Sequence, residues 1–211
     1  TANRCFDVFS RNAWECQFSG RDRIWYINWL SIRGVNLLVP PAFYYSTAGK
    51  RKEERPPDVG PNNIWWPHYR RISDYIKRLS FLMTDSVNGA RVAVLVDNNR
   101  VPYREVACLY ENQIEFNYLP VALLPACEVK EGRLCIREYA YGIVLDVYGL
   151  LEENTERKEQ LSGVCVSTCA QECCLPDLRS VFTDVPCPYL RAVCLKKWGT
   201  QMVLFSNEGE E

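Results

Sequence analysis

Residues 89–116, GARVAVLVDNNRVPYREVACLYENQIEF, decide how the second half of this chain is read. Val92-Ala93-Val94-Leu95-Val96 is an unbroken apolar run, rich in β-branched side chains, with Gly89 before it and Asp97-Asn98-Asn99 after it. A short apolar run between turn residues is the pattern of a strand covered on both faces. The segment therefore predicts a strand over 91–96, a turn-rich loop over 97–102 and a helix over 103–116. Val106, Leu109, Tyr110 and Ile114 share one face of that helix. Further along, 142–147 reads as another buried strand, 152–160 as a charged helix and 164–167 as a strand. Residues 126–130 and 133–137 form a hairpin across Glu131-Gly132. The order strand, helix, strand points to an open, mostly parallel, doubly wound sheet over 89 to about 170.

On the N-terminal side, 21–33 predicts a helix. Ile24, Trp25, Ile27, Trp29 and Ile32 crowd most of its circumference and imply deep burial. Gly34 suits a helix stop, and 35–39 follows as a short buried strand ended by Pro40-Pro41. A long loop, 42–61, contains Pro56-Pro57 and Gly60-Pro61. In 67–83, Tyr69, Ile72, Ile76, Leu79 and Met83 recur at helical spacing behind Pro67. At the other end, 191–196 and 201–205 read as a terminal β-hairpin across Lys197 to Thr200.

The 211 residues carry 25 basic and 26 acidic side chains, a net charge of −1, so nothing in the balance points to nucleic acid or to an anionic membrane surface. No apolar stretch approaches the roughly 20 residues of a membrane span. The first eleven residues lack a signal-peptide pattern and an initiator Met, so the sequence reads as part of a longer or trimmed chain. The 11 cysteines lie in a core-rich chain without an Asn-x-Ser/Thr sequon, and Cys108, Cys135 and Cys194 sit inside apolar runs. This favours reduced thiols and a cytoplasmic setting. Cys165, Cys169, Cys173 and Cys174 invite a zinc reading, but no second knuckle matches them, and buried thiols without metal are expected. Dinucleotide and phosphate-loop fingerprints and the nucleophile elbow are missing, so no cofactor is expected. His68 is the one histidine, and a helix-surface role suits it better than a catalytic one.

The stretch from Glu53 to His68 combines carboxylates (Glu53, Glu54, Asp58), amides (Asn62, Asn63) and adjacent indoles (Trp65, Trp66). Aromatic faces stack on the C–H face of a pyranose, and planar polar groups bind its hydroxyls. From composition alone, a sugar site and a structural loop that plugs a core edge are equally served.

Several runs resemble large bacterial glycoside hydrolases similar to the family 106 α-L-rhamnosidases. They are Trp29 through Arg33, Gly34 and Asn36 to Pro40; 42–46; Glu54 through Pro57, Asp58 and Gly60 to Asn63; Trp65 to Pro67; Ser73 to Tyr75; and Thr84 to Ser86. The resemblance covers about 20 to 120 well and the rest loosely. It implies an α/β chain in which 1–88 is the C-terminal part of a TIM-barrel-like unit with an aromatic sugar-site loop. Residues 89–185 would be an open Rossmann- or flavodoxin-like sheet akin to the amidotransferase-like trimerisation domain of family 42 β-galactosidases. Residues 186–211 would be a β-hairpin opening a β-sandwich. Carbohydrate is then the expected partner, and Tyr44, Tyr45, Arg55, Asp58, Asn62, Asn63, Trp65 and Trp66 the expected substrate-binding residues. A homo-oligomer is left open.

The sequence departs from that pattern where an acidic residue is expected before the first helix: the aligned position reads Phe9, and Pro41 stands where the pattern favours His. Glycosidases work through two carboxylates. Asp7 and Glu15 are the nearest acids here, both out of register, so the catalytic residues stay unassigned. The reading is a glycoside-hydrolase-like fragment, inactive alone. The alternative is a non-catalytic carbohydrate-binding or interaction module on the same scaffold; an amidotransferase-type enzyme is disfavoured by the missing elbow and histidine.

Overall fold

The computed structural model describes residues 5–7, 20–39, 46, 48–50, 60–61, 64–97, 99–152, 155–173, 187 and 189–209. The chain divides into two compact units, Thr1–Ser86 with Leu204–Glu211, and Val87–Val203.

In the first unit, β1 (Cys5–Asp7) and β2 (Leu37–Val39) pair in parallel, with Phe6 opposite Leu38. Helix α1 (Gly20–Ile32) lies between them in sequence, so the segment is a βαβ unit. It ends as the glycine implied: Gly34 has φ +92°, its N–H bonds the Ser31 carbonyl at 2.8 Å, and Val35 N–H reaches Leu30 O at 3.2 Å. Ile27, Leu30 and Leu38 form a small core with Leu79 of α2 (Tyr69–Met83). Two expectations of burial need correction. Trp25 is 38% exposed, and in β2 only Leu38 is buried while Leu37 and Val39 are 40% and 48% exposed. The strand is covered on one face only, so alternate residues emerge.

The second unit is mixed α/β. Its central sheet contains β4 (Val92–Val96), β5 (Phe116–Pro120), β9 (Ile143–Leu145) and β10 (Cys165–Ser167), all parallel, in the order β10-β9-β4-β5. The chain moves outward from β4 to β5, then returns to the other side of β4 for β9 and β10. The predicted open parallel sheet is thus present. Alternate residues of β4 enter different cores: Ala93 and Leu95 pack with Leu124, Leu134 and Tyr141, while Val92 and Val94 pack with Val106, Leu109 and Cys173. Burial on both faces explains the uninterrupted apolar run.

The helix expected over 103–116 is shorter and ends earlier. Helix α3 spans Ala107–Glu111, and Phe116 already begins β5, a strand the sequence reading missed. The stop has the same hydrogen bonding as that of α1, made without glycine: Gln113 takes φ +56°, its N–H meets Tyr110 O at 3.2 Å and Ile114 N–H meets Leu109 O at 2.8 Å.

An antiparallel insert follows β5: β6 (Glu128–Lys130), β7 (Arg133–Ile136) and β8 (Tyr139–Tyr141). Glu131 and Gly132, at φ +50° and +71°, make the two-residue turn between β6 and β7. Helix α4 (Thr155–Gln160) precedes β10. The last sheet has the order β12-β11-β3, from β3 (Val87–Asn88), β11 (Leu190–Lys197) and β12 (Thr200–Asn207). Its hairpin turn is Trp198-Gly199, again with two positive φ values, +49° and +78°. Among the described residues, no helix is long and apolar enough to cross a membrane.

Candidate functional site

Of the expected sugar-site residues, Trp65 and Trp66 are described; Tyr44, Tyr45, Arg55, Asp58, Asn62 and Asn63 lie outside the described residues, as do Phe9, Glu15 and Pro41. The two indoles lie at the entrance to α2, where Trp66, Pro67 and His68 form one 3-10 turn. Proline at the start of that turn fits because no N–H is needed there. The arrangement is an aromatic cluster. Trp66 stacks on Tyr69 with ring centroids 5.1 Å apart, and Trp65 lies 5.8 Å from the same ring. From α1, the Arg23 guanidinium sits 4.0 Å from the centre of the Trp65 ring. Arg23 is buried. Burial lowers its pKa, and Tyr69 opposes that shift; the Tyr69 hydroxyl is pushed up by burial and pulled back by Arg23. Each indole is half-buried. Arg23 and Tyr69 were not singled out from the sequence. Tyr69 was read as a core position of α2, and nothing in the spacing links Arg23 to Trp65 across 42 residues.

His68 is exposed at the boundary between the 3-10 turn and α2. Its position is on the helix surface.

In the second unit, the strand order reverses between β4 and β9, bringing the loops that follow Val96 and Leu145 side by side. Two carboxylates stand there, and both are engaged by backbone. Asp97 Oδ1 accepts the N–H of Asn99 and of Arg100, each at 2.7 Å. Asp146, 3% exposed, accepts Leu150 N–H on Oδ1 at 2.8 Å and Leu151 N–H on Oδ2 at 2.9 Å. Arg100 leans over the Tyr148 ring at 5.4 Å. These acids shape turns.

A cavity of about 300 Å³ opens between α3 and the 3-10 turn Ala170–Glu172. Cys108 and Cys173 line it with Leu109, Asn112, Ile114 and Gln171, a mixed apolar and polar wall. The cysteine cluster is divided by the fold. Cys173 is buried among Val92 and Val94, Cys165 is exposed, and Cys169 Sγ–H donates to Gln171 Oε1 at 2.7 Å. Cys174 lies outside the described residues. Among the described residues no group of three or more His, Cys, Asp or Glu is placed to hold a metal ion.

Comparison with family models, curated proteins and solved structures finds no match to this chain.

Proposed function

We propose that the chain is a carbohydrate-binding piece of a glycoside-hydrolase-like protein, the end of a barrel followed by a Rossmann-like accessory domain, and that it is inactive alone. The observation that carries the reading is the cluster of Trp65, Trp66 and Tyr69 with Arg23 at the start of α2. In sequence its two half-buried indoles directly follow the stretch whose carboxylates and amides resemble a sugar site. The βαβ pairing of β1 and β2 fits the repeating unit of a barrel. The reversal of strand order at β4 and β9 fits a doubly wound sheet. A non-catalytic, accessory role for the second unit is favoured by one further observation: both oxygens of Asp146 and one of Asp97 accept backbone N–H groups.

A site with aromatic stacking and without two convergent carboxylates binds sugar but forgoes transition-state charge stabilisation. Expected affinity is roughly millimolar, since few contacts offset the immobilisation of a small ligand. The test is calorimetric titration with a monosaccharide panel that includes L-rhamnose, run beside nitrophenyl glycosides. Weak binding that Trp66→Ala lowers at least about fivefold, with no turnover, supports the proposal; a stacking contact is worth roughly 1 kcal/mol or more. No heat with any sugar removes the carbohydrate reading. Turnover that disappears on replacing an acid of this chain makes it a self-contained enzyme.

A further inference from the structure

Strand β3 is two residues long and pairs with only the far part of β11, with Asn88 opposite Leu195 and Val87 opposite Lys196. Gly89 extends that ladder by one bond, its N–H reaching the Cys194 carbonyl at 3.0 Å. Beyond it, two β11 amides point where no strand stands, and side chains take them. Cys194 N–H donates to Glu115 Oε1 at 2.8 Å, and Ala192 N–H to Gln113 Oε1 at 3.3 Å. Two residues further along, the Asn117 and Asn88 side-chain amides bond each other reciprocally, both at 3.0 Å, and Asn117 also donates to Tyr141 Oη at 3.2 Å. Gln113 and Glu115 hold the edge of β11 as a neighbouring strand would, and Asn117 ties β3 to the segment beside them. Close approach is built in: a Cβ on Gly89 would lie 3.1 Å from Glu115 Oε2 and 3.3 Å from Cys194 Cβ.

We propose that this ladder is a proton-controlled latch: with Glu115 protonated β11 is held in place, and at higher pH a locally opened form gains weight in which the Glu115 carboxylate and the Ala192 and Cys194 amides meet water. The physical reason is that burial penalises the ionised carboxylate more than the N–H groups of Cys194 and Gly89 stabilise it, which pushes Glu115 up to about 7. The facing titratable group from β11 is the Cys194 thiol, itself raised by burial and by Glu115. The cations of β11 are placed elsewhere: Arg191 donates to Tyr110 O, Lys196 is exposed, and Lys197 Nζ lies 4.7 Å from the centre of the Trp198 ring. From β3 the group meets Gly89 backbone, with Asn88 beside it.

The sign follows from linkage. The open form titrates like a free carboxyl and the latched form at about 7, so latching is strongest below the free value and weakens as pH rises through the latched one. Between pH 5 and 8 the opening constant should rise roughly tenfold to a hundredfold. The experiment is amide hydrogen exchange on the intact chain at both pH values, corrected for intrinsic rates. Protection at Ala192 and Cys194 should fall by that factor and stay well below that of the buried Val92 and Val94 amides at both pH values. Glu115→Gln, which keeps a carbonyl acceptor and cannot ionise, should flatten the difference. Gln113→Ala should lower protection at Ala192 and leave the pH response of Cys194 intact. Protection at Ala192 and Cys194 equal to that at Val92 and Val94 would mean that they exchange only by global unfolding and overturn the latch, as would an unchanged pH response in Glu115→Gln.

Discussion

Asp146 gives the most direct test of how the second unit is held together. Its carboxylate is 3% exposed and turns the chain after β9 by accepting Leu150 N–H at 2.8 Å and Leu151 N–H at 2.9 Å. Both leucines are buried in the core that also takes Ala93 and Leu95, and Gly149 makes the bend at φ +68°. Asp146→Ala leaves two buried N–H groups without an acceptor. Each such loss costs about 1–3 kcal/mol, so the variant should be about 2–6 kcal/mol less stable. Asp146→Asn keeps the volume and one acceptor but turns an NH2 toward the other N–H, so it should lose about 1–3 kcal/mol. Against a domain stability of about 5–15 kcal/mol, the alanine change is severe and the asparagine change is not. Because the chain has two units, a single unfolding curve is the wrong readout. Exchange of the Val92, Val94 and Leu95 amides, which require the central sheet to open, reports this unit alone. An alanine variant within about 0.5 kcal/mol of the parent, or an asparagine variant as damaged as alanine, would refute the assignment of the turn to these two bonds.

The Glu115 linkage also has a stability consequence: raised from 4.5 to about 7, the group contributes stability below pH 4.5 that is lost as pH rises through 7, a span of roughly 3 kcal/mol. Protection of the Val92 and Val94 amides in the parent should therefore decline over that window and that in Glu115→Gln should not. Leu95→Ala removes a side chain 1% exposed at the centre of the sheet and should destabilise by about 2–5 kcal/mol in the same exchange assay. Trp198→Asn should stabilise the terminal hairpin by about 0.5 kcal/mol, because an Asn-Gly pair tolerates φ +49° and +78° better than Trp-Gly; loss of the Lys197–ring contact works against it, and unchanged or lower protection of the β11 amides would show that contact to be the larger effect.

What was legible in the sequence depended on whether a segment met one environment or two. Val92–Val96 is covered on both sides, so its apolar run carried the strand and its parallel setting. The turns at Glu131-Gly132 and Trp198-Gly199 were readable because glycine marks a positive φ. The segment 113–117 was not. Its alternation of Gln113, Glu115 and Asn117 with Ile114 and Phe116 is a strand signal, yet it follows a helical stripe without a break, and the residue that stops the helix is Gln113 rather than glycine. Periodicity over a short window cannot separate these cases, and the left-handed conformation of a glutamine has no sequence mark.

The same distinction governs the candidate sites. Trp65 and Trp66 stood out because adjacent indoles are rare and chemically specific, but their neighbours Arg23 and Tyr69 join them through tertiary structure, across 42 residues in the case of Arg23. Asp146 reads in the sequence as an acid interrupting an apolar run, the usual look of a functional carboxylate at a strand end. Its two backbone bonds show why an acid is required there with no substrate in view: a turn that buries Leu150 and Leu151 must supply acceptors for their N–H groups, and a carboxylate supplies both at once. Glu115 makes the same point from the other direction. Its side chain takes the Cys194 N–H in place of a strand, and the burial that makes this ladder possible is what leaves the group able to titrate near neutral pH. A polar residue inside this fold is thus informative about function only after its backbone obligations are counted. By that measure the aromatic cluster at the start of α2 is the stronger candidate for binding, because stacking on a sugar is not a backbone requirement.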